Sequence, residues 1–285
     1  MKIVEIIFTR NEASLLKENI NFHRKMGVDF FIVTESGSTD DTVKILKRFQ
    51  SMGLVKYFSD PKIMAQKENM DKMAMMAKKK YKADWVMVSD TDEFWYAKGG
   101  LKKFLSRLPQ KINTLKVFRF QHFPTEKDNP LEKKTHLQMP YRENGQGLDF
   151  DSGIGNEKNN FARKKVMFKP IADDIDIMIG NHTVHFSGRE DMEVDPKALM
   201  IHEYPFRSYK QFKEKVVRAK EVFSKNAAFK VNKKLATHWR MWLDYFEKGE
   251  LEDFYHDKIY FSRSRINNAI KHKKMVYDPL VIKEG

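Results

Sequence analysis

The first third of the chain alternates short apolar, β-rich runs with segments of helical period, and this alternation is the strongest constraint on its fold. The apolar runs are residues 2–8, 29–34, 55–58 and 85–89. Between the first two, Leu15, Leu16, Asn19, Ile20, Phe22 and Met26 recur at helical spacing, and Gly27 supplies a stop. Val43, Leu46 and Phe49 mark a second helix, and residues 63–81 a third, with Met70, Met73, Ala74, Ala77 and Tyr81 in register. That methionine stripe suits helical core packing better than a flexible binding groove. Ser38, followed three residues on by Asp41, has the form of a capping box at the start of the second helix. A β-α-β-α-β-α-β series of this kind predicts an α/β fold, a parallel sheet with helices on both faces.

Beyond Trp95 the rhythm changes. Residues 101–108 predict a brief helix stopped at Pro109, and residues 114–120 a strand. The polar stretch 125–160, with several Gly and Asn, reads as long loops that line or cover a site. Two more strands are expected at 165–168 and 182–187. Amphipathic helices follow at 209–223, through Phe212, Val216, Ala219 and Phe223, and at 235–246, through Trp239, Trp242, Leu243 and Phe246. There is no internal repeat, so two lobes sharing one sheet are expected rather than two independent domains.

The chain has 285 residues, 41% of them hydrophobic and 13% aromatic, enough for a packed core and too apolar for a disordered segment. It contains no cysteine, which excludes disulfides and thiolate metal sites and suits a reducing compartment. The apolar start is short and broken by Glu5, and no run approaches the roughly 20 apolar residues that span a bilayer. A cytoplasmic protein, not secreted, is the expectation. The net charge of +14 suits either a lysine-rich solvated exterior or an anionic partner: phosphorylated substrates, an anionic membrane surface touched peripherally, or nucleic acid. Neither zinc-finger spacing nor an aromatic-basic RNA motif supports the last of these.

The segment richest in chemistry is Trp85-Val86-Met87-Val88-Ser89-Asp90-Thr91-Asp92-Glu93-Phe94. A strand buried on both faces runs directly into three carboxylates, which then sit at the C-terminal edge of the sheet, where open α/β sheets bind ligands. Asp90 and Asp92 flank one small residue, so both carboxylates can point to one side of an extended segment. Convergent anions repel unless a cation separates them, and hard oxygen ligands suit Mg²⁺ or Mn²⁺ beside a substrate diphosphate. The plainer reading is a solvated acidic turn at a helix cap.

Phe8-Thr9-Arg10-Asn11-Glu12, Glu35-Ser36-Gly37-Ser38-Thr39-Asp40 and Asp90-Thr91-Asp92-Glu93-Phe94 stand in the order seen in family-2-type glycosyltransferases, which this sequence resembles. The later His202-Glu203-Tyr204, Arg207-Ser208-Tyr209, Phe212 and Lys215 resemble the block found in a bacterial and viral branch of that group. The resemblance implies a GT-A fold, a mostly parallel Rossmann-like sheet flanked by helices, with C-terminal helices. Residues 1–97 would bind the nucleotide-sugar, 98–208 the acceptor, and 209–285 would form a helical extension.

The implied donor is a nucleotide-diphosphate-sugar, UDP-sugar favoured, and the acceptor a glycan, lipid-linked glycan or protein glycan, as in polysaccharide biosynthesis. By the same resemblance Thr9, Arg10, Glu12, Glu35, Gln66, Lys67, Asp90, Thr91 and Arg207 would contact the donor. Asp92 would ligate Mn²⁺ or Mg²⁺ directly, with Asp90 and His202 beside it. Arg10 stands where the family often carries an aromatic residue, and Glu35 where it usually carries Asp. Inversion at the anomeric carbon requires a carboxylate base, for which Asp149, Asp151, Glu157 and Glu203 are all possible, Asp151 and Glu203 foremost. A nucleotidyltransferase acting on a sugar phosphate would share the paired carboxylates, yet Thr9-Arg10-Asn11-Glu12 is not the Gly-rich phosphate loop it would need. A basic nucleic-acid-binding protein would account for the charge and leave the buried carboxylate cluster without a purpose.

Overall fold

The structure is a computed structural model that describes residues 1–61, 66–125, 139–145, 164–225 and 237–280. It divides into two compact units, one of Met1–Arg119 with Asn159–His202 and one of Phe120–Lys158 with Glu203–Gly285.

The first unit is built on β1 (Ile3–Thr9), β2 (Phe30–Glu35), β3 (Val55–Ser59) and β4 (Trp85–Ser89), linked by α1 (Ala13–Met26), α2 (Thr42–Ser51) and α3 (Gln66–Lys79). Pairing of β3 with β2, β2 with β1 and β1 with β4 is parallel throughout. After β4 the chain folds back as β5 (Glu93–Ala97), passes a short α4 (Leu101–Leu105) and forms β6 (Thr114–Gln121). Next in chain order are β7 (Tyr141–Glu143), β8 (Lys164–Phe168), the hairpin β9–β10 (Asp176–Ile177, Val184–His185), β11 (Asp191–Glu193) and β12 (Leu199–Glu203). The main sheet runs β3-β2-β1-β4-β8-β6-β12-β5, with β11 added on β6. β8 is antiparallel to both β4 and β6, so the sheet is parallel in its first half and mixed beyond.

Alternation along β1 explains how both faces are covered. Val4 and Ile6 pack with Met70, Met73, Ala74 and Ala77 of α3 and with Ile177 and Val184 of the hairpin. Glu5 points the other way, to His23 of α1, while Phe22 of α1 meets Phe94 of β5 edge-to-face at 5.2 Å. Gly27 closes α1 in the left-handed region, as expected.

The second unit has its own core, in which Phe212 and Val216 of α5 (Tyr209–Lys225) pack with Trp242 of α6 (Thr237–Glu247). Phe254 of α7 (Leu251–Phe254), Ile266 of α8 (Arg263–Lys271) and Met275 of β13 (Met275–Tyr277) join them. β13 pairs antiparallel with β7.

The α/β architecture expected from the sequence is the one observed, and the first four strands fall where the apolar runs predict. Differences have local causes. β5 and β12 stand at positions read only as motif residues, because their acidic and aromatic content hides the strand period. β7 lies inside the stretch expected to be loop. The single strand expected at 182–187 is instead one arm of a hairpin, with only Val184–His185 paired. The capping-box reading is also corrected. Asp40, not Ser38 or Asp41, accepts from the N–H groups that open both helices, Thr42 through Oδ1 and Ala13 through Oδ2, each at 3.0 Å.

Candidate active site

Three loops leave the C-terminal ends of β1, β2 and β4, and side chains stitch them together. Asn11, in the left-handed region at φ 54°, donates its N–H to Ser38 Oγ at 3.0 Å and accepts from Thr39 N–H at 2.7 Å. The Glu12 N–H donates to Thr42 Oγ1 at 3.0 Å. Thr91 donates its hydroxyl to Thr9 Oγ1 at 2.9 Å, tying the β4 loop to the β1 loop. From below, the Asn19 amide of α1 donates to the carbonyls of Thr91, at 3.1 Å, and Glu93, at 2.7 Å. The sequence pattern placed Asn19 on the buried face of a helix but gave no sign of this clasp.

Glu35 and Lys67 are committed within the fold. Glu35 is buried and accepts from the Ser38 N–H and from Ser59 Oγ, which holds the β2 loop in shape. Lys67 is bracketed by Asp71, at 2.9 Å, and Asp176. Gln66 opens α3 and is half-buried, as is Arg10 in the β1 loop.

The acidic loop is organised by a residue that was expected only as part of a strand. Lys165 of β8 is buried, and its ammonium meets Asp90 Oδ2, the Gly180 carbonyl at 3.0 Å and Glu93 Oε1 at 3.0 Å. The other oxygen of Asp90 accepts from Asn181 Nδ2 at 3.1 Å, and the Asp90 N–H donates to Glu93 Oε2 at 3.1 Å. Burial alone would drive the Lys165 ammonium to lose its proton, but the charges of Asp90 and Glu93 outweigh it and hold its pKa above the ordinary lysine value. Gly180 adopts φ +85°, and a Cβ there would come within 2.9 Å of the His182 ring, so glycine lets the hairpin tip approach this close. His182 Nδ1 lies 2.9 Å from the Lys164 carbonyl, and burial together with the Lys165 charge lowers its pKa to about 4.

Asp92 is buried in the same loop, and His202 is buried on β12, its ring edge-to-face with Tyr96 at 6.1 Å. Asp90, Asp92 and His202 do not form a group that could hold a metal ion, nor does any other set of three or more His, Asp or Glu among the described residues. The three ligands expected from the sequence are thus not assembled around one point among the described residues. Asp90 turns its carboxylate onto Lys165 and Asn181.

In the second unit, Arg207 is buried and donates to the Tyr204 carbonyl at 3.1 Å, while its N–H donates to Gln211 Oε1 at 3.2 Å. Glu203 is buried at the end of β12, and its carbonyl accepts from the His122 N–H at 2.8 Å. Asp149, Asp151 and Glu157 lie outside the described residues.

The family model for glycosyltransferase family 92 matches residues 4–239. The chain belongs to glycosyltransferase family 92. The enzyme class implied by its motifs, a glycosyltransferase, is the one the family gives, under family 92 rather than the family-2 type. No curated protein matches the sequence. Among solved structures, Staphylococcus aureus TarS 1-349 in complex with UDP-GlcNAc is 12% identical at a TM-score of 0.45, covering 100% of this chain and 98% of that one. A longer S. aureus TarS chain is 11% identical at 0.43; the match covers 76% of this chain and only 39% of that one. Glucosyl-3-phosphoglycerate synthase from Mycobacterium tuberculosis, in complex with Mn²⁺, UDP and glucosyl-3-phosphoglycerate, is 22% identical at 0.29, covering 41% and 44%. Similarity at this level carries no information on donor or acceptor.

Proposed function

We propose that this protein moves a sugar from a nucleotide-diphosphate donor to a hydroxyl of a glycan, a lipid-linked glycan or a protein glycan, with inversion at the anomeric carbon. The observation that carries the reading is the stitching of the β1, β2 and β4 loops into one rim at the C-terminal edge of the parallel strands, with buried Asp92 in it. That edge is where open α/β sheets bind nucleotides. Family membership supplies the reaction class and sets the nucleotidyltransferase reading aside.

In this reading residues 1–97 bind the donor, 98–208 the acceptor, and 209–285 extend the acceptor half. The Arg10 guanidinium faces the nucleotide, and Arg207 serves the diphosphate. Asp92 is the residue that would hold Mn²⁺ or Mg²⁺ against the donor diphosphate. Glu35 and Lys67 contact the donor from positions fixed by their bonds to Ser59 and Asp71. As the sugar takes on oxocarbenium character, a carboxylate withdraws the proton of the acceptor hydroxyl on the opposite face. Glu203 and Asp151 are the two residues assigned to that task. No step is assigned to a metal held by Asp90. A chain of charge +14 suits acceptors that carry phosphate or lie at an anionic membrane surface.

Release of nucleoside diphosphate from UDP-, GDP- and dTDP-sugars, with a glycan acceptor panel, tests the reading. At least one donor should be turned over, UDP-sugars being the first to try, and Asp92→Asn should lower that turnover by about 100-fold. Turnover of none, or equal rates in both proteins, would remove the rim from consideration.

A further inference from the structure

We propose that Lys165 is the resident cation of the Asp90–Glu93 carboxylate pair, a positioning residue that sets the donor loop before any ligand or metal arrives. The inference rests on the rim being the donor site, and it concerns the lysine alone.

The placement follows from strand register. β8 runs antiparallel to β4, with Val86 opposite Phe168 and Met87 opposite Met167. Continuing that register brings Lys165 level with Ser89, the last residue of β4, so its ammonium projects to where the chain turns into the acidic loop. An inward lysine in a central strand breaks the apolar pattern of Val166, Met167 and Phe168, all fully buried. A buried ammonium is costly unless it is paired and hydrogen-bonded. Here three oxygens surround it, from Asp90, Glu93 and Gly180, the last delivered by the hairpin tip. The lysine thereby joins β4, β5, β8 and the β9–β10 hairpin at one point.

The carboxylates need it as much as it needs them. Glu93 is fully buried, and Asp90 is close enough to donate its N–H to the Glu93 carboxylate at 3.1 Å. Without an intervening positive charge, two such anions would repel and splay the turn between β4 and β5. Side-chain exposures of 2% for Lys165 and 33% for Asp90 leave the pair closed on the core side and open on the rim side. A donor arriving at the rim therefore meets a loop already neutralised and fixed in shape.

The test uses Mn²⁺ alone, without nucleotide, on the whole protein followed by thermal unfolding. Wild type should show no Mn²⁺-dependent shift in Tm. Lys165→Met should lose about 10 °C, and Mn²⁺ at saturating concentration should restore at least about a third of that loss, by filling the vacated position. Should Lys165→Met fail to fold, the triple variant Lys165→Met/Asp90→Asn/Glu93→Gln, which removes the charges together, should fold and show no Mn²⁺ response. Stabilisation of wild type by Mn²⁺ alone, a Lys165→Met protein indifferent to it, or a triple variant no better folded than the single one would each overturn the proposal. Because no donor is present, these outcomes are separate from the turnover assay that tests the transferase reading.

Discussion

Two acid–base groups in the first unit invite comparison, a buried pair in the core and a triad at the rim. Glu5 of β1 and His23 of α1 are both fully enclosed, with Nδ1 2.8 Å from Glu5 Oε2 and Nε2 accepting the Trp95 N–H at 2.9 Å. That pair ties β1, α1 and β5 together and is sealed from solvent. Lys165, Asp90 and Glu93 make a triad of the same kind, but Asp90 is one-third exposed. The same physical demand, that a buried acid find a partner, produces a structural rivet in the first case. In the second it produces an organised edge on which a ligand can act. Position relative to the C-terminal ends of the strands separates them.

The comparison can be broken at several points, in descending order of effect. Removing the rim cation by Lys165→Met leaves the buried Glu93 carboxylate and its neighbour Asp90 without a counter-ion and should cost about 3–5 kcal/mol, read by denaturant unfolding; a loss under about 1 kcal/mol would make the lysine ornamental. Asn19→Ala strips the amide from the Thr91 and Glu93 carbonyls and should cost about 1–3 kcal/mol. It should also loosen the acidic loop, seen as faster amide hydrogen exchange at residues 90–93 than at the core pair. Unchanged exchange there would show that Lys165 holds the loop unaided. Asp40→Ala removes a cap from the starts of α1 and α2 together and should cost about 1 kcal/mol, by the same unfolding measurement.

The core pair offers the smallest effect and a distinct pH signature. Burial raises the Glu5 pKa above its ordinary 4.5, an effect that His23 only partly offsets. The folded state thus binds that proton more tightly than the unfolded chain, and the resulting stability is complete below pH 4.5 and lost as pH rises through the raised value. Glu5→Gln keeps an acceptor for His23 and removes the titration, so its Tm should gain on wild type across that window. Parallel Tm profiles would contradict the assignment. His182 has the opposite sign. Its pKa falls from 6.5 to about 4, so its contribution is present above pH 6.5 and lost as pH falls through about 4.

Much of the first unit was legible because its physics is local. Residues 2–8, 29–34 and 85–89 are apolar runs long enough to announce buried strands, and the helices between them carry a clear period. The acidic loop was legible for the same reason, since Asp90 follows directly on β4. What escaped was set by long-range pairing. Nothing in the run Lys164–Phe168 says which lysine turns inward, because that depends on the register of β8 against β4. Asn19 looks like any polar residue on a helix until β5 passes beneath its amide. The bond by which Glu35 also holds its loop appears only when Ser59 of β3 is brought beside it. A cation was expected between Asp90 and Asp92; the lysine that reaches this loop, 75 residues away in sequence, pairs Asp90 with Glu93 instead.

The most direct test of this account is a crystal structure of the protein soaked with both a nucleoside diphosphate and Mn²⁺. The expected result has the diphosphate at the rim formed by the β1, β2 and β4 loops beside Asp92, with the Lys165 ammonium still seated on Asp90 and Glu93. A nucleotide bound elsewhere, or a metal ion bridging Asp90 with the lysine displaced, would contradict it.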